Sequence, residues 1–137
     1  MRFVRTFLFI LIMLVAWDLG WWYVAGVQPV GPWTVKSEVE REMGPTIIDV
    51  RSPVEFDLFH IPGAVNVPYP ATLAELAMVS PDPNSPVVVV CMTGHRSPPV
   101  ANQLKKGGYT QVRNLTWGMA AWKLFGGETV SDSTPVE

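Results

Sequence analysis

Apolar positions fall into two regimes along this chain. Between residues 3 and 16 they are nearly continuous, broken by Arg5 and Thr6, and after Asp18 they resume as Leu19-Gly20-Trp21-Trp22-Tyr23-Val24-Ala25. Beyond Gln28 they come in short bursts between turn residues. Thr46-Ile47-Ile48-Asp49-Val50 and Val87-Val88-Val89-Val90 each predict a strand, because β-branched runs fit a pleated, buried surface, and residues 111–115 read as another. The four valines are apolar on both faces and predict the centre of a sheet. Residues 37–43 predict a short helix with Ser37 as N-cap and Gly44-Pro45 as stop. Ser52-Pro53-Val54-Glu55 has capping-box spacing with proline at the first helical position, and predicts a helix to about residue 59. Residues 71–79, 97–106 and 118–124 predict three more, the second closed by Gly107-Gly108. Residues 60–68 read as a turn and a brief extended piece, and residues 80–86 as a breaker. Strands alternating with helices predict an α/β fold, a three-layer domain with a mainly parallel central sheet, preceded by an N-terminal hydrophobic helix.

The apolar leader divides the chain. Residues 1–27 form it, residues 28–36 read as a linker, residues 37–127 as the domain, and residues 128–137 as a polar tail; fraying is expected from Gly126 on. Arg2 and Arg5 precede the apolar run, which holds the N-terminus on the cytoplasmic side and exports the rest. Residues 6–16 have the length of a signal-peptide core, whereas residues 3–27 exceed the roughly 20 needed to cross a bilayer. Asp18 falls inside that longer stretch, at a cost of about 3 kcal/mol if central, softened by a place near the interface beside Trp17, Trp21, Trp22 and Tyr23. No small-x-small cleavage site is well formed. An uncleaved anchor is therefore expected, with the domain extracytoplasmic in a bacterial periplasm or at a cell surface; secretion after cleavage is the alternative.

Composition narrows the chemistry. The chain has 137 residues and a net charge of −2, which gives no electrostatic reason to expect nucleic acid. Its single cysteine excludes an internal disulfide, a CxxC redox pair and a multi-cysteine zinc site. His60 and His95 show no metal-ligand spacing, so neither a metal nor a cofactor is expected. Whatever happens at Cys91 is single-thiol chemistry, and an outside molecule must resolve any covalent intermediate.

Cys91 follows the most apolar strand and begins the loop Cys91-Met92-Thr93-Gly94-His95-Arg96. In an open α/β sheet ligands gather at the carboxyl ends of strands. A glycine-containing loop curling onto a helix N-terminus turns backbone N–H groups inward and makes an anion nest. Those amides, the helix dipole and Arg96 would stabilise a thiolate, a persulfide anion or an incoming thiosulfate. A lone cysteine is often a small buried hydrophobe, but this one sits past the strand in a polar loop. His95 reads equally as an anion ligand or a solvated loop residue. Arg51 and Glu55 read as an ion pair tying a strand end to the next helix, and His60 as a residue fixing the turn before Pro62-Gly63.

The segments Ile48-Asp49-Val50-Arg51-Ser52-Pro53-Val54-Glu55-Phe56, His60-Ile61-Pro62-Gly63-Ala64-Val65-Asn66-Val67-Pro68, Val90 through Ser97, Gly108-Tyr109, and Gly118-Met119-Ala120-Ala121-Trp122, in this order, closely resemble a single-domain rhodanese-like sulfurtransferase. The resemblance covers residues 37 to 127. It implies a doubly wound sheet, Cys91 as nucleophile and sulfur carrier cycling through a persulfide, and the Met92, Thr93, Gly94, His95 and Arg96 backbone as the anion cradle. The partners implied are a small-molecule sulfur donor and a thiol acceptor, with the membrane held through residues 3–27 and the protein a monomer. A non-catalytic binding module on the same fold is an alternative. A phosphatase or arsenate reductase is another, but phosphatases with this thiol chemistry space Cys and Arg by one residue more, which makes a larger bowl. Two departures from the family pattern stand out. Pro98-Pro99 replaces small residues after the loop, which stiffens it. Trp117 stands where glycine is usual, and is a candidate wall of the pocket.

Overall fold

The β-branched run Val87–Val90 leaves no polar face along a whole strand, and the capping residues Ser52 and Thr72 each open a helix. The computed structural model describes residues 2–41 and 44–132. In chain order its elements are α1 (Arg2–Ala25), β1 (Gln28–Val30), α2 (Pro32–Val39), β2 (Thr46–Asp49), α3 (Pro53–Leu58), β3 (Val65–Asn66), α4 (Leu73–Val79), β4 (Val87–Val90), α5 (Ser97–Lys106), β5 (Val112–Leu115) and α6 (Gly118–Leu124). The strands form one all-parallel sheet in the order β1-β5-β4-β2-β3.

β4 lies at the centre, and all four of its valines are buried. Each contributes roughly 1.5 kcal/mol or more of apolar burial. Alternation along the strands feeds two cores. Ile48, Val87 and Val89 meet Leu76 of α4 and Val100, Ala101 and Leu104 of α5 on one face. Ile47, Val88 and Val90 meet Val35 of α2 and Met119 and Trp122 of α6 on the other. The expected three-layer, parallel α/β domain with an N-terminal apolar helix is the observed fold.

The helix starts follow their local chemistry. Ser52 caps α3 and Thr72 caps α4, each in a reciprocal capping box with Glu55 or Glu75. α1 is unbroken over Arg2–Ala25; its Phe3–Val24 stretch, 22 residues with mean hydropathy 1.9, is long and apolar enough to cross a membrane.

Three expectations are corrected. The segment 28–36 is not a linker: Gln28–Val30 adds the edge strand β1 beside β5, where Pro29 is tolerated because an edge strand has one side free. Pro32 then opens α2 after the extended residue Gly31, so this helix starts five residues before Ser37. Ser37 lies inside α2 and donates back to Thr34 O at 2.9 Å. Nor does the chain fray from Gly126. His60 and Val130 exchange backbone hydrogen bonds at 2.9 and 3.0 Å, and Ser131 Oγ donates to Asp57 O. The remainder of the polar tail, residues 133–137, and Glu42-Met43 of the expected helix lie outside the described residues.

Candidate active site

Because β4 is central and parallel, its carboxyl end opens where the flanking strands also end. Cys91 is the first residue past it, and it is 1% exposed. The loop that follows folds back over the sulfur. Gly94 N–H donates to Cys91 Sγ at 3.0 Å, and Ser97 Oγ, the first residue of α5, donates to it at 3.3 Å. Both donors favour an electron-rich sulfur. Gly94 reaches this position with φ +88°, and a Cβ there would press on Trp117 N at 3.1 Å and Cα at 3.3 Å.

The loop's carbonyls point the other way. Met119 N–H and Ala120 N–H, at the start of α6, donate to Cys91 O and Met92 O at 2.9 and 3.0 Å. Helix-start amides lack partners of their own, and here they are spent on the loop. The approach is so close that a Cβ on Gly118 would lie 2.0 Å from Cys91 O. The Met92 side chain packs partly buried on the α2/α6 core, whereas Thr93 Oγ1 bonds His95 Nδ1 at 3.2 Å.

Arg96 completes the loop but does not stand free. Its Nη1 and Nη2 donate to Glu55 Oε2 and Oε1 at 3.0 and 2.7 Å. This guanidinium, first, and the hydrogen bonds from Ser52 hold the Glu55 carboxyl at about 2 against the opposing effect of burial. The expected Arg51–Glu55 pair is therefore replaced by two others. Arg51, fully buried, is neutralised at short range by Asp49 at 2.7 Å and also donates to Phe59 O. Glu55, turned back toward its helix start by the capping box, faces the loop instead. His60 is tied to the end of α3, with Nδ1 2.9 Å from Phe56 O and its ring stacked on Phe56 at 3.8 Å, so its hydrogen bond holds the segment that leads into Pro62-Gly63.

Two residues at this site escaped the sequence reading. Ser97 had a signal: a hydroxyl at the first position of the helix that leaves the loop. Asp18 had one too, as a lone acid in an apolar stretch, an expensive placement that marks a functional position in membrane segments. Its Oδ1 meets His95 Nε2 at 3.0 Å and its Oδ2 accepts from Trp117 Nε1 at 3.1 Å. Trp117 also stacks obliquely on Trp22, with ring centroids 6.2 Å apart. It is 46% exposed and adopts φ +53°, a left-handed conformation that costs an L-residue roughly 1 kcal/mol or more. Among the described residues no cluster of His, Cys, Asp and Glu is placed to hold a metal.

The domain is similar to known proteins. The thiosulfate sulfurtransferase PspE of Escherichia coli is 37% identical over 67 residues, 49% of this chain and 64% of that protein. YrkF of Bacillus subtilis is 33% identical over 89 residues, 64% of this chain; the chain spans under half, 46%, of that relative's length. The crystal structure of the Alr3790 protein from Anabaena sp. superposes with a TM-score of 0.68 at 30% identity, covering 74% of this chain and 81% of that one. The rhodanese-like domain model matches residues 35–124, from within α2 to the end of α6 and so across the whole Cys91 loop, and on that match the chain belongs to the rhodanese-like domain family.

Proposed function

We propose that this protein transfers sulfane sulfur, from thiosulfate or a persulfide to a thiol or cyanide, through a persulfide on Cys91. The single observation that carries this reading is the sulfur's setting: Sγ is nearly sealed, yet two donors are aimed at it. Four residues separate Cys91 from Arg96, one fewer than in phosphatases with this thiol chemistry, and the smaller bowl suits a divalent sulfur atom better than a tetrahedral phosphate. Kinship to sulfurtransferase-named relatives supports sulfur transfer in general.

The chemistry balances in two steps. The Cys91 thiolate attacks the outer sulfur of thiosulfate; the Cys91 Sγ–S bond forms, the donor's S–S bond breaks, and sulfite leaves with the electron pair. An organic hydropersulfide gives the same adduct: its S–S bond breaks, R–S⁻ leaves with the electron pair, and it takes up the proton that the transferred sulfur carried. The terminal sulfur now lies about 2 Å beyond Sγ, toward the mouth. Cyanide or an acceptor thiolate attacks that atom, and the Cys91 thiolate is restored. Gly94 N–H and Ser97 Oγ hold the charge on sulfur in both states. Arg96, held by Glu55, adds positive potential at the loop end without becoming a ligand. We read α1 as an uncleaved anchor that keeps the domain extracytoplasmic.

Wild-type protein incubated with thiosulfate and cyanide is expected to release thiocyanate, and Cys91 to gain the mass of one sulfur atom by mass spectrometry. Equal thiocyanate formation by the wild type and Cys91→Ser would sink the proposal. Immunoblotting of membrane and soluble extracytoplasmic fractions tests the anchor; full-length chain in the soluble fraction would refute it.

A further inference from the structure

Both basic side chains at the mouth are already paired. Arg96 is occupied by Glu55, and His95 by Asp18, whose second oxygen holds Trp117. An incoming dianion therefore meets two carboxylates beside the two basic groups that would attract it. The apolar side is just as developed. Trp117 lies against Trp22, and Trp17 and Trp21 are exposed on the same helix.

The direction of α1 adds to this. Asp18 touches His95 just before α5, whereas Gly26, past the end of α1, accepts from Lys105 near the end of α5. The two helices thus run side by side in one direction, and residues 3–17 of α1 continue about 22 Å past the mouth. An apolar helical surface therefore borders the loop that carries Cys91.

Resting on the sulfur-transfer reading above, we infer that Asp18 is a specificity-determining residue that tunes the mouth toward an organic hydropersulfide of low charge with an apolar substituent, and away from the thiosulfate dianion. The carboxylate repels the dianion and fixes the indole against which an apolar substituent packs. The loading step is R–S–SH plus the Cys91 thiolate giving the Cys91 persulfide anion plus R–SH, with no other reactant needed.

The test is single-turnover loading of Cys91 in the full-length chain in nonionic detergent, read by mass spectrometry, with thiosulfate and benzyl hydropersulfide as donors. Wild type is expected to load from benzyl hydropersulfide with the larger second-order constant. In Asp18→Asn, which keeps hydrogen-bonding capacity but not charge, the ratio of the two constants is expected to shift about fivefold toward thiosulfate, and less at high salt. Asp18→Ala is expected to shift it the same way. The inference is overturned if both constants fall in parallel, which marks Asp18 as a mere clamp on α1, if the ratio stays put, or if wild type prefers thiosulfate. Loading from neither donor would instead defeat sulfur transfer at Cys91, and this inference with it.

Discussion

Ser97 and Glu55 show how little separates a structural side chain from one that acts on the sulfur. The Ser97 hydroxyl points at Sγ from a fully buried position, so Ser97→Ala removes a donor and leaves almost no space. Its loss is expected to slow Cys91 loading about tenfold and to lower the melting temperature by a few degrees, since one hydrogen bond to a charged atom is worth roughly 1.5 kcal/mol or more. Stopped loading with parallel thermal melts checks this. Glu55 is bound through its charged form, its carboxyl held at about 2 against an ordinary 4.5 chiefly by Arg96. A depressed carboxyl stabilises the fold above its unfolded value, so this contribution is complete above pH 4.5 and is lost as pH falls toward 2. Glu55→Gln keeps the capping-box geometry but not the ion pair. It is expected to cost about 1 kcal/mol at neutral pH, modest because the pair is partly exposed, with the gap to wild type closing between pH 4.5 and 2 in urea titrations.

Among the elements, α6 bears most on the loop without contributing a side chain to the sulfur. Its first amides hold the carbonyls of Cys91 and Met92, and Gly118 supplies the clearance. Gly118→Ala puts a methyl group against Cys91 O and forces φ +54° on alanine. A loss of about 2 kcal/mol or more is expected, together with displaced loop amides and slowed loading. A variant with wild-type stability and rate would show that α6 does not brace the loop. Legibility differed by element for a physical reason. β4, α3 and α5 carry their own instructions, in four β-branched residues, a capping box and a proline start, so the sequence sufficed. β1 and α2 did not, because Pro29, Gly31 and Pro32 are turn residues by composition and become a strand edge and a helix start once β5 offers a partner. The same holds at the site. Cys91 and its loop were readable as a contiguous motif. The Glu55–Arg96 and Asp18–His95 contacts, 41 and 77 residues apart, were not, since no local pattern encodes which distant charge will face which.

On the scale of the whole molecule, the leader and the domain are not independent parts. Val27 and Val30, directly after α1, are buried in opposite cores. Removing residues 1–26 is expected to leave a complete sheet and a folded, soluble domain. Removing residues 1–31 strips β1, bares the edge of β5 and discards two buried valines, roughly 3 kcal/mol of apolar burial. The shorter chain is expected to melt lower and to aggregate, which light scattering and thermal denaturation would reveal; identical behaviour of the two truncations would show that β1 is dispensable.

Between Ala25 and Gln28 stand two residues, Gly26 and Val27. A flexible tether lets its cargo sweep a volume that grows with the tether's length. Two residues, one of them buried, give no such slack. If α1 sits in a bilayer, its tilt is passed directly to the sheet, and the domain cannot swivel to greet a partner arriving from bulk solution. Reactants would have to come to a mouth of fixed angle and height above the lipid, and encounter would be governed by how they partition to that surface rather than by their concentration in the surrounding water.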